Sequence, residues 1–108
     1  MNRFEIQVDR NIQGIKLEKK GDVDRALELY EMNISENFEG NHPYDRLAII
    51  YSKKGRIKDE IRVLKKGIYV FEKLKFKQRK DVAPKLDRFK IRLEKAVIKL
   101  HLTTVNRQ

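Results

Sequence analysis

The chain has 108 residues, 40% hydrophobic and 39% charged, with no cysteine, two prolines and a formal net charge of +10. That length holds one core and no second one. The missing cysteine excludes disulfide frameworks and thiolate metal sites, and the regular spread of short apolar groups excludes a disordered chain. Lys, Glu, Leu and Arg dominate, so an all-α protein is expected, one domain over residues 1–108. The start MNRFEIQVDR has charge where a signal peptide needs an apolar core, and no apolar run approaches a membrane span. A cytoplasmic protein without membrane contact is therefore expected.

In chain order, the first predicted helix is capped by Asp9 and runs to Lys20, where Gly21 supplies the turn. Asp22 caps a second helix reaching Asn37. Glu39-Gly40-Asn41-His42 reads as a loop, and Pro43 fits the first turn of a third helix that ends at Lys54 before Gly55. The fourth runs from Ile57 to Phe76. Its two apolar stripes, through Ile61, Leu64 and Ile68 and through Val63, Gly67 and Val70, predict a wide buried face. Residues 75–80 read as a basic linker. Asp81 then caps a last helix over 81–102, with Pro84 in its first turn and Val82, Leu86, Phe89, Leu93, Ala96 and Leu100 at helical spacing.

Gly21 and Gly55 are 34 residues apart. The same shift lays Ile15 on Ile49, Leu17 on Tyr51, Val23 on Ile57, Leu27 on Ile61, Tyr30 on Leu64 and Ile34 on Ile68, apolar on apolar throughout. A helix, glycine turn, helix unit of this period resembles the tetratricopeptide repeat family. In the first unit, residues 8–40, Gly14, Leu17, Gly21, Ala26 and Tyr30 carry the resemblance. In the second, residues 41–74, Tyr44, Leu47, Ala48, Tyr51 and Gly55 carry it. Glu60 and Asn33 depart from it, standing where the pattern has small residues. The resemblance implies an α-solenoid of two repeats closed by a C-terminal capping helix, about five helices in all. Roughly three repeats are usually needed for stability, so homo-oligomerisation is one expected source of further contacts.

The resemblance also implies a concave groove, lined by the first helix of each unit, that holds a peptide or partner helix. Its expected lining is Val8, Asn11, Ile15, Glu18 and Lys19 from the first unit and Asp45, Arg46, Ile49, Ser52 and Lys53 from the second. Ile15 and Ile49 fall outside the stripes that pack each hairpin, so they are expected to face solvent, a ligand or a covering segment.

Charge is unevenly spread. Residues 1–40, 41–74 and 75–108 carry −3, +5 and +8, which points to an acidic partner for the C-terminal half. At the 34-residue shift five positions change sign, Asp22, Asp24, Glu28 and Glu31 becoming Arg56, Lys58, Arg62 and Lys65, and Arg25 becoming Asp59. Complementarity between neighbouring repeats explains this pattern. A basic surface of Lys54, Arg56, Lys73, Lys75, Lys77, Arg79 and Lys80 continues from it, and its terminal cluster from Lys73 on reads as having no acidic counterpart. Phosphate contacts from these groups, with Tyr69 or Phe76 stacking on bases, make nucleic-acid binding the alternative to protein binding.

Nothing in the sequence assembles catalytic chemistry. His42 and His101 are isolated, Ser35 and Ser52 have no nearby histidine, and the five glycines are too dispersed to cradle a phosphate. The expectation is a binding protein, not an enzyme, with no cofactor and no metal.

Overall fold

The computed structural model describes residues 1–77 and 79–106. Five α-helices account for most of them: α1 (Arg3–Lys19), α2 (Val23–Ser35), α3 (His42–Lys53), α4 (Ile57–Leu74) and α5 (Val82–Asn106). A short 3-10 turn, Lys75–Lys77, follows α4. Each helix packs chiefly against the next in the chain, giving a slab of 52 × 36 × 19 Å. The all-α class and the number of helices are as expected.

The two glycine turns are built alike. The amide of Asp22 donates to the Leu17 carbonyl and that of Gly21 to Glu18, at 2.9 and 3.0 Å. Arg56 to Tyr51 and Gly55 to Ser52 repeat the pattern at 2.9 and 3.1 Å. These are paired C-terminal caps of the kind that need a left-handed residue, and Gly21 and Gly55 have φ of +84° and +73°.

The first helix starts earlier than Asp9. Asn2 caps it, its side-chain oxygen accepting from the Glu5 amide at 2.9 Å while its amide reaches the Glu5 carboxylate. The first of these bonds satisfies a helix-start amide that Asp9, about two turns later, cannot reach. Asp22 caps α2 as expected, accepting from the Arg25 amide. The fourth helix stops at Leu74 rather than Phe76, and the last extends from Val82 to Asn106, beyond residue 102. Gln78 of the expected linker, the side chain of Phe76, and residues 107–108 lie outside the described residues.

Two contacts fix the hairpins. In the first, Gly14 of α1 lies under the Tyr30 ring of α2, so close that a β-carbon there would sit 2.5 Å from a ring carbon. In the second, Tyr44, Phe71 and Phe89 from α3, α4 and α5 meet edge to face, with centroids 5.3 to 6.2 Å apart. All three are fully buried, and Gly67 leaves room for Tyr44 and Phe89. Edge-to-face geometry sets the positive ring edges on negative ring faces.

The departures from the small-residue pattern are polar ties. Asn33 is fully buried and donates to the Gln7 carbonyl at 2.8 Å and to Asn11 at 3.0 Å, while accepting from Arg10 at 3.2 Å. Glu60, 9% exposed, accepts from Lys99 of α5 at 3.0 Å. Each polar group has a partner, which is what burial requires.

The charge reversal is used between hairpins, though not between the aligned positions themselves. Glu31 of α2 pairs with Arg62 of α4 at 2.5 Å, and Asp24 pairs with Lys54 at 3.3 Å. Glu31 also accepts the Tyr51 hydroxyl at 2.6 Å. The partner lies three or four residues before the aligned one, as happens when helices cross at an angle instead of running in register.

Candidate binding groove between the third and fifth helices

The expected groove residues divide into two groups. Ile49, Ser52 and Lys53 of α3 line a groove of about 390 Å³ whose opposite wall is α5. Ala48, Ile49 and Ala96 supply apolar lining, and Lys53, Arg92, Lys95 and Lys99 supply four cations. Asp45 sits one turn before Ile49 and is held by Arg92 at 2.9 Å and Arg88 at 3.4 Å. These bonds clamp α5 against α3.

Further along, Lys99 donates to both Ser52 and Glu60 at 3.0 Å. The groove is thus pinned on either side of its apolar lining, by Asp45 before it and by Ser52 and Glu60 after it. Among the cations lining it, Arg92 and Lys99 are neutralised by these partners. Lys53 and Lys95 are exposed and have no ion pair among the described residues.

The first-unit residues are placed elsewhere. Asn11 is consumed by Asn33. Arg46, expected to face a ligand, grips Glu18 through two bonds of 2.6 and 3.1 Å, and Glu18 also accepts the Tyr30 hydroxyl at 2.7 Å. Burial raises the Glu18 pKa, but the hydrogen bonds from Arg46 and Tyr30 outweigh it and hold the carboxyl below its ordinary value. Ile15 is half-buried on α1, Val8 lies in a shallow patch with Phe4 and Ile12, and Lys19 is exposed at the end of α1. None of them joins the α3/α5 groove.

His42 stands beside this Glu18 cluster. Its Nε2 is buried and has no hydrogen-bond partner among the described residues, and its ring meets that of Tyr30 edge to face with centroids 5.5 Å apart. Burial pushes its pKa below the usual imidazole value, against the pull of Glu18 and Asp45.

The basic surface differs from its sequence reading in having acidic partners. Lys75 pairs with Glu72 at 2.7 Å, Lys77 with Glu39 at 3.3 Å and Arg79 with Asp81 at 2.8 Å. Arg56 pairs with Asp59, Lys54 with Asp24, and Lys73 donates to the Tyr69 hydroxyl. Arg79 also donates to the Glu39 carbonyl at 2.9 Å, tying the 3-10 turn region to the α2–α3 loop. Lys80 is exposed. Sequence distance hides only Glu39, 38 residues from Lys77 and 40 from Arg79, and Asp24, 30 from Lys54, whereas Glu72, Asp59 and Asp81 lie two or three residues from their partners.

Arg92, Lys95, Ala96 and Lys99 are not among the expected groove residues, since the last helix reads in the sequence as a cap, or as a helix docked onto a second chain, and not as a groove wall. The signal was present: positions 92, 95, 96 and 99 follow i, i+3, i+4, i+7 and form one face of a helix beside the buried stripe. Among the described residues, no group of three His, Cys, Asp or Glu is placed to hold a metal, and no helix is long and apolar enough to cross a membrane. Comparison with protein-family models, with curated proteins and with solved structures returns no match.

Proposed function

We propose that the chain is a non-enzymatic interaction module, built from tetratricopeptide-like hairpins, that holds an acidic, partly apolar peptide segment of another protein between α3 and α5. The observation that carries this reading is the groove itself: apolar lining from Ala48, Ile49 and Ala96, beside the exposed cations Lys53 and Lys95. One Leu, Ile or Phe side chain buried on that lining contributes about 1.5–3 kcal/mol. The cations add little affinity at physiological salt but select an acidic neighbour and speed its arrival. A binding segment of this kind has one or two large apolar residues flanked by Asp or Glu.

The test is selection from a random displayed-peptide library on the wild type, followed by calorimetric titration of the enriched peptides. Acidic sequences with a Leu, Ile or Phe anchor are expected, with at least tenfold weaker binding to Ile49→Asp and a moderate loss at high salt. Equal binding to Ile49→Asp, or enrichment of basic peptides, rules the reading out.

The nucleic-acid alternative draws support from the net charge of +10. It is the weaker reading, because Lys54, Arg56, Lys75, Lys77 and Arg79 already spend their charge on internal carboxylates. Phosphate contacts would have to displace those pairs. Failure to bind a random single-stranded oligonucleotide at low salt ends that alternative.

A further inference from the structure

One side of α5 is in the core and the opposite side carries a second apolar seam. Val82, Leu86, Phe89 and Ala96 are buried, whereas Ile91, Ile98, Leu102 and Val105 are 54, 52, 54 and 48% exposed. Ile91, Ile98 and Val105 are seven residues apart, and Lys95 and Leu102 each follow four residues after an isoleucine. These are the d and a positions of a heptad seam, the period at which one helix packs along another. The seam runs about 21 Å, at ~1.5 Å per residue. Isolated surface hydrophobics are ordinary, but a continuous row of them marks an interaction face.

The flanking charges identify the helix that covers it. At about 100° per residue, Asp87 and Glu94 lie along one edge of the seam, and Arg92 and Lys99 lie along the other, with Arg88 in the same register as Lys95; Arg88 and Arg92 also reach Asp45, and Lys99 reaches Glu60, of their own chain. Two copies of α5 related by a two-fold axis parallel to the helices set the acidic edge of each against the basic edge of the other, twice. An antiparallel pair sets like edges together. A partner helix of uniform charge satisfies only one edge.

We propose that α5 is also a dimerisation helix, pairing in parallel with α5 of a second copy through Ile91, Ile98, Leu102 and Val105. The pairing is isologous, so each side chain of the seam meets its own counterpart. Lys95, in the same register as Arg88 one heptad earlier, fixes register at a cost in stability, its ammonium turning outward to Glu94 of the other copy; since Lys95 also lines the groove, it serves either that contact or a groove ligand, not both at once. The contact is well below the roughly 800 Å² per partner of a standard interface. The dimer is therefore weak and forms in the range from micromolar to millimolar.

Sedimentation equilibrium of the full chain tests this. The apparent mass is expected to rise from 12.9 kDa toward twice that value with concentration. Ile98→Glu, whose site is outside the core, is expected to stay at the monomer mass with unchanged far-ultraviolet circular dichroism. A wild type that remains monomeric at millimolar concentration, or an Ile98→Glu variant that dimerises equally, overturns the proposal. Because the chain has no cysteine, single cysteines report the orientation cleanly. In an oxidised mixture of Ile91→Cys and Val105→Cys, parallel pairing joins each variant only to itself, and a dominant mixed product overturns the parallel arrangement. Ile49→Asp should dimerise normally, so failure of the groove reading and failure of this one are separable.

Discussion

Gly14 and Gly55 are both glycine for reasons that substitution separates. Alanine at 14 drives its β-carbon into the Tyr30 ring, which is fully buried and held at its hydroxyl by Glu18. The ring has nowhere to move, and urea denaturation of Gly14→Ala should show a loss of about 1–3 kcal/mol, as overpacking typically costs. Gly55→Ala meets nothing within 4 Å and suffers only from its φ of +73°; the expected loss is about 1 kcal/mol. Equal losses at both sites would contradict the close-approach account. His42 sets a pH signature. Its pKa is depressed in the folded state, so below the unfolded value of 6.5 the unfolded chain binds more protons and stability falls with falling pH. Glu18, lowered from 4.5, adds a second loss as pH drops through its own folded value. Thermal melts between pH 7 and 5 should therefore show a decline that is flattened in His42→Gln, and a pH-independent melting point would contradict it.

The helices illustrate what sequence alone can carry. The glycine turns, the Pro43 start and the buried stripe of α5 were legible because each follows from local rules, a left-handed cap, a missing amide or a period near 3.6. The start of α1 was legible in principle from Asn2 and Glu5, but the more central Asp9 drew the assignment. What no local rule supplies is which distant helix meets which. Glu39 neutralising Lys77, Arg46 turning from the expected groove to Glu18, and α5 becoming a wall all depend on crossing angles set by tertiary packing. The ties between helices should differ in worth. Glu31 and Arg62 are both substantially exposed, with 30 and 48% of their side-chain surfaces accessible, and a double-mutant cycle should give a coupling of no more than about 1 kcal/mol that shrinks in high salt. Lys99→Ala strips the sheltered Glu60 carboxylate of its partner. It should cost more, about 1–3 kcal/mol, and loosen α5, read as faster amide exchange along residues 92–100.

For the molecule as a whole, α5 joins every functional argument. It closes the aromatic core with Phe89, presents Lys95 and Ala96 to the groove, and turns its Ile98 seam outward. The N-terminal hairpin, with its Asn33 network and Glu18 cluster, packs on α3 through α2 and through the Glu18–Arg46 pair. Its charge is acidic while the rest is basic, a distribution that would steer the proposed acidic ligand toward α5. Where such a ligand lands decides between these surfaces. The direct measurement is a titration of the isotopically labelled chain with an acidic, Leu- or Phe-anchored peptide selected on the wild type, followed by amide chemical shifts. The changes are predicted to cluster at Ala48, Ile49, Ser52, Lys53, Lys95 and Ala96 and to vanish in Ile49→Asp. Changes centred on residues 73–80, or on the first helix around Asn11 and Ile15, would contradict the groove between α3 and α5 as the binding site.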